Sequence, residues 1–119
     1  MFYLGEIYAD TLSALRDDKK AVEWYRKGAQ AGNAQSMTML GVMHYLGRGA
    51  PLDYAQALSW FRKSAEAGID EGMYYLGIMY DSGKGVDKED DQTAIEWYRK
   101  AAALGHEGAK ERLQELGAN

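Results

Sequence analysis

Two histidines, His44 and His106, are the only side chains in this 119-residue sequence whose ordinary pKa lies near neutrality. A metal site built on either would need a second histidine or a carboxylate at ligand spacing on the same face, and neither has one. There is no cysteine. That excludes a thiolate zinc site, a cysteine nucleophile and a disulfide-stapled core. Nothing marks a nucleophile elbow or an activated serine. The acidic run Asp87–Asp91 lacks the glycine and the terminal glutamate of a calcium loop. It reads as a solvated loop that also caps the helix after it. What remains is aromatic and cationic. Glu-Trp-Tyr-Arg-Lys stands at Glu23–Lys27 and again at Glu96–Lys100, and Ser-Trp-Phe-Arg-Lys lies between them at Ser59–Lys63. The aromatic pairs could stack a ligand, and the Arg-Lys pairs could line a basic stripe.

The spacing of these pentapeptides favours architecture over chemistry. Trp24, Trp60 and Trp97 are separated by 36 and 37 residues, and Leu4-Gly5, Leu40-Gly41 and Leu76-Gly77 by 36 and 36. Gly32, Gly68 and Gly105 are again 36 and 37 apart. Three markers with one period identify a structural repeat. The extra residue of the third unit falls between Tyr80 and Ala94, in a loop.

Each unit reads as two helices. In the second, Ala21, Trp24, Tyr25, Gly28 and Ala29 share one helical face, and the same face recurs as Ala57, Trp60, Phe61, Ser64, Ala65 and as Ala94, Trp97, Tyr98, Ala101, Ala102. This assigns the tryptophans to the buried stripe. Asp17, Asp53 and Asp90 stand four residues before the first alanine of each set, where an aspartate can cap the first turn, and Asp53 with Gln56 forms a capping-box pattern. In the first helices, Gly41 and Gly77 sit mid-helix at a cost of about 1 kcal/mol relative to alanine. Their recurrence predicts that a large ring of the partner helix lies on bare backbone. Glu23–Lys27 and Glu96–Lys100 are spaced for surface ion pairs.

The stretches over 36–68 and 72–105 follow the pattern A-x-x-x-L-G-x-x-Y-x-x-G-x-G-V…D…A-x-x-W-Y-x-K-A-A-x-x-G nearly throughout, and on these residues the chain resembles the Sel-1-like repeat family, relatives of the tetratricopeptide repeats. The resemblance covers the whole chain. It departs at His44, which replaces an aromatic, at Thr11 and Ser13, which stand where loop glycines are expected, and at Gln114, which replaces the glycine in a tail that otherwise matches a first helix. The fold implied is all-α: a right-handed superhelical α/α solenoid of about three helix–turn–helix repeats, over about 1–32, 33–68 and 69–105, with a C-terminal capping helix over 106–119. Seven helices are expected in one domain.

The resemblance implies an adaptor or scaffold, with a protein or peptide as partner and no catalytic residue. First helices line the concave surface in this superhelical class. Outside the packing stripe they carry Thr38, Met39 and Val42 in the second unit and Tyr74, Tyr75 and Ile78 in the third, with Phe2, Tyr3 and Glu6 in the first. Tyr3, Met39, Val42, Tyr74, Tyr75 and Ile78 are therefore the candidate partner-binding residues. Alternatively these groups pack between adjacent first helices. A second reading, hydrolysis or binding of cell-wall or β-lactam-like compounds, comes from cysteine-rich relatives whose cysteine pairs are absent here.

A net charge of −4 argues against nucleic acid as the main partner. No stretch approaches the ~18–20 apolar residues of a membrane span. No cofactor is expected. The N-terminus has no basic region followed by a hydrophobic run, so the cytoplasm is the expected location, or the periplasm if a signal peptide has been removed. Met1 aligns with Met37 and Met73, inside the first helix of its unit. An exposed end of the stack would then allow weak homodimers beside the monomer.

Overall fold

The computed structural model describes residues 17–118. Six helices lie within them, and no strand: α1 over 17–30, α2 (Ala34–Leu46), α3 (Tyr54–Glu66), α4 (Asp70–Ser82), α5 (Asp91–Ala103) and α6 (Glu107–Glu115). The seventh expected helix, with Tyr3, falls outside the described residues. The main contacts run between consecutive helices: α2 with α3, α3 with α4, α4 with α5 and α5 with α6. This nearest-neighbour pattern is that of a repeat solenoid.

Local chemistry explains the helix boundaries. Asp53 accepts the backbone N–H of Gln56, and Asp90 accepts that of Thr93, each at 3.1 Å. Asn33 caps α2 through the Ser36 N–H at 2.8 Å. The two loops inside the units close through the same bond. The Asp53 N–H donates to the His44 carbonyl at 3.0 Å, and the Asp90 N–H donates to the Tyr80 carbonyl at 2.9 Å. The inserted residue of the third unit lies between those anchors, so it lengthens the loop without shifting either helix. Gly47 and Gly83 end α2 and α4 with φ of 67° and 76°, a conformation that side chains disfavour.

Among the described residues three buried clusters form the core, one at each junction between units: Val22, Ala29, Leu40 and Met43; then Ala57, Leu58, Phe61, Ala65, Leu76 and Met79; then Ala94, Tyr98, Ala101, Ala109 and Leu113. The mid-helix glycines do what their recurrence predicts. A Cβ on Gly41 would stand 2.7 Å from Phe61 Cε1, and one on Gly77 would stand 2.5 Å from Tyr98 Cε1. Each bare backbone carries the fully buried ring of its partner helix.

The tryptophans do not occupy the buried stripe. Trp24 is 71% exposed, and Trp60 and Trp97 are half-buried. The buried line runs through Phe61 and Tyr98, and one residue is a turn of about 100° around a helix. Trp60 and Trp97 therefore reach only the edge of the cluster at the junction before them. Lys27, Lys63 and Lys100 lie over the three indole rings at 5.3, 4.8 and 4.5 Å. The expected ion pairs Glu23–Lys27 and Glu96–Lys100 are not formed, because those ammonium groups sit on the indoles three residues earlier.

The crossing between one unit and the next is set by two small residues. A Cβ on Gly28 would collide with Ser36, and one on Gly72 with Ser64. The corresponding pair at the last crossing is Ala101 and Ala109, both fully buried in one cluster. Gly/Ser, Ser/Gly and Ala/Ala each place two side-chain heavy atoms in the crossing. Gly72→Ala alone is expected to lower the urea midpoint, at a cost of about 1–3 kcal/mol. Adding Ser64→Ala should recover part of that loss, since it reproduces the pair already present at the last crossing but gives up the bond between the Ser64 and Thr38 hydroxyls. Strictly additive effects of the two changes would mean that this contact does not set the helix spacing.

Candidate interaction surface

The candidate residues within the described range lie on α2 and α4, and all five (Met39, Val42, Tyr74, Tyr75, Ile78) are half-buried. Tyr3 falls outside the described residues. Thr38, assigned with them to the exposed side, is buried instead. Its hydroxyl bonds to the Ser64 hydroxyl and donates to the Ala34 carbonyl at 3.2 Å. It therefore pins α2 to α3.

Helix α4 stands between α2 and α6, and its two adjacent tyrosines meet edge to face at 5.5 Å while each packs on a different neighbour. Tyr75 stacks on Phe61 at 4.9 Å with an 11° interplanar angle, and its ring lies 6.3 Å from Tyr45 of α2. Tyr74 stacks on His106, the N-cap of α6, at 4.4 Å. These rings pack against neighbouring helices and keep a solvent-facing side. Burial raises both phenol pKa values, helped by the charge of Glu71 at Tyr75 and of Glu111 and Glu115 at Tyr74, where Arg112 opposes it.

Two clefts open on this side, one at the N-terminal end of α4 and the other along its C-terminal half. The first, about 380 Å³, is lined by Gln35, Thr38, Met39, Ile69, Asp70 and Glu71. The second, about 300 Å³, is lined by Tyr74, Ile78, Asp81, Ser82, Tyr98 and Arg112. The middle and last junctions themselves differ through one exchange of residue types. Tyr45, Phe61 and Tyr75 of the middle junction correspond in register to Asp81, Tyr98 and Arg112 of the last. Three rings in contact become a polar triad. The Tyr98 hydroxyl donates to Asp81 at 3.1 Å, Arg112 Nε donates to the same carboxylate oxygen at 2.6 Å, and Arg112 also reaches Glu115 at 2.6 Å. Burial and then the Asp81 charge push the Tyr98 phenol far above the usual range, so it stays a donor. The bonds to Glu115 and Asp81 raise the pKa of the Arg112 guanidinium above its ordinary value. Sequence reasoning missed this triad. Aligning α6 with the other first helices puts Arg112 in the column of Met39 and Tyr75, which was the available signal.

The histidines are structural. His44 is buried, and its Nδ1–H donates to the Pro51 carbonyl at 3.0 Å. His106 Nδ1 accepts the Ala109 N–H at 3.1 Å and so caps α6. Among the described residues no three His, Cys, Asp or Glu side chains are grouped to hold a metal ion, and no helix is long and apolar enough to cross a membrane. The surface offers rings, aliphatic groups and carboxylates, a set suited to recognition.

Comparison with known proteins agrees with this architecture. The chain is similar to a Sel1 repeat protein from Oxalobacter formigenes, at 42% identity over 79% of this chain and 70% of the other, with a TM-score of 0.73. It is similar to a protective antigen of uropathogenic Escherichia coli strains that displays an SLR fold, at 41% identity over 80% of this chain but 20% of the antigen, with a TM-score of 0.76. Helicobacter pylori cysteine rich protein B shares the fold at 17% identity, over 91% and 95% of the two chains, with a TM-score of 0.70. No curated protein sequence matches the chain. The family model of the Sel1 repeat matches residues 1–33, 34–69 and 70–106. With helix pairs in register, rings seated on recurrent glycines and a family match along nearly its whole length, the chain belongs to the Sel1 repeat family.

Proposed function

We propose that the chain is a non-catalytic interaction module that holds a protein or peptide on the side lined by its first helices, at Met39, Val42, Tyr74, Tyr75 and Ile78. Sel1 repeat proteins are generally protein-interaction scaffolds and are typically non-enzymatic. The observation that carries the reading is the contrast between the two helix types. The recurrent ring of α3 and of α5 is consumed in packing: Phe61 and Tyr98 are fully buried. The apolar groups that differ from unit to unit lie half-exposed around two neighbouring clefts. Variation on a shared frame is where a repeat protein carries specificity. The test is affinity purification with the intact chain and with Met39→Ser and Ile78→Ser, after circular dichroism has shown both variants folded. Either change is expected to weaken partner capture roughly tenfold, a typical effect of removing an apolar anchor. Undiminished capture by both would place binding on another surface.

A further inference from the structure

Charge is divided between the two kinds of helix. Among the described residues, α2, α4 and α6 carry the carboxylates Asp70, Glu71, Asp81, Glu107, Glu111 and Glu115 against two cations, Lys110 and Arg112. The second helices α1, α3 and α5 have the opposite balance, with eight lysines and arginines against six carboxylates. The candidate surface is therefore negative, and the other side is slightly positive. A partner segment for it should be basic as well as apolar.

The two clefts then take different groups. In the first, Asp70 and Glu71 stand beside Met39 and Ile69, and neither carboxylate forms an ion pair among the described residues. In the second, Asp81 is already neutralised by Arg112, and its side chain is only 12% exposed. The second cleft presents Tyr74 and Ile78 as an apolar wall over the buried Tyr98. A cation gains most in the first cleft, and an aromatic or aliphatic side chain gains most in the second. Ile78 follows Asp70 and Glu71 along α4, a rise of about 11 Å at 1.5 Å per residue. An extended chain advances about 3.3 Å per residue, so about three residues span that separation.

Resting on the reading above that this side binds a peptide, we infer that its ligand is an extended segment with a lysine or arginine about three residues from an aromatic or aliphatic side chain. The cation lies beside Asp70 and Glu71, over the Met39 side chain. The apolar group lies against Tyr74 and Ile78. The alkyl stem of a lysine or arginine suits the first cleft, because it can cover Met39 and Ile69 while its head reaches the carboxylates.

The test uses the intact chain and a phage library of random twelve-residue peptides. Selected peptides are synthesised, and their binding is followed by fluorescence anisotropy at about 50 and 200 mM salt, which spans a useful change in screening. The expected consensus has Lys or Arg about three positions from Phe, Tyr, Leu or Ile. Replacing that Lys by norleucine, or using the Asp70→Asn/Glu71→Gln chain, should weaken binding roughly tenfold and remove most of the salt dependence. Ile78→Ser should weaken binding and leave the salt dependence intact. The norleucine peptide requires no change to the protein, so it reports even if a variant misfolds. Peptides that need Ile78 but carry no cation would overturn this inference and leave the binding face standing. Peptides indifferent to Ile78, Asp70 and Glu71, or no selected peptide at all, would overturn both.

Discussion

Phe61→Ala is expected to destabilise the domain by about 3–5 kcal/mol, the usual range for removing a buried phenylalanine. Phe61 is fully buried at the centre of the middle cluster. One part of its ring lies on the bare backbone of Gly41 in α2, and Tyr75 of α4 stacks on it at 4.9 Å. It therefore bridges the second unit to the third. The cavity left behind would be lined by Gly41, which has no side chain to move into it. Global stability of small domains is about 5–15 kcal/mol, so this one change can remove much of the total. Urea unfolding followed by circular dichroism measures it. A loss below about 1 kcal/mol would show that the Phe61 contact does not hold the units together. Loss of the ring also removes the platform under Tyr75, so any ligand of the first-helix side should weaken in those Phe61→Ala molecules that remain folded.

Gly77→Ala carries the second large effect, and its sign is the informative part. In an exposed mid-helix position, glycine to alanine stabilises by about 1 kcal/mol. Here the new methyl group would stand 2.5 Å from Tyr98 Cε1 and 3.0 Å from Cζ. Tyr98 is fully buried, and its hydroxyl is held by Asp81, which Arg112 holds in turn. The ring cannot withdraw without breaking a bond to a charged group. Overpacking of about 1–3 kcal/mol should exceed the helix-propensity gain, for a net fall in the thermal midpoint. An unchanged or raised midpoint would mean that α4 and α5 separate freely at this crossing. Gly41→Ala, opposite Phe61, should behave alike, with one difference. Phe61 has no hydroxyl anchor, so its ring can shift more easily and the loss should be smaller.

The period, the helix pairs, the caps at Asp53 and Asp90 and the glycine-on-ring contacts were legible in the amino-acid order, whereas Asp17, expected to cap likewise, lies within α1. Each depends on residues close in sequence or on one position repeated in every unit. The tryptophans were misplaced for a physical reason. A helical face drawn from small and aromatic residues is about two positions wide, and its centre cannot be fixed to within one residue without the partner helix. Ala57, Leu58 and Phe61 define that centre, and Trp60 falls to its edge. Thr38 was misplaced in the same way. Its hydroxyl marks it as surface until Ser64 arrives from the next helix to satisfy it.

The candidate surface was legible in part. Met39, Val42, Tyr74, Tyr75 and Ile78 stand out as apolar groups off the packing stripe, and all remain half-exposed. Amino-acid order alone sets the repeat, the helical pairing and the positions where the units differ, because these follow from backbone periodicity and local capping. Which of those positions open into a cleft, and which charges there are already neutralised, depends on how the units stack. Tyr75 closes over Phe61, Tyr74 over His106, and Arg112 crosses from α6 to Asp81. Partners 14 to 32 positions away in the chain meet only when the units stack, and pairwise geometry at that range is not encoded in any local pattern.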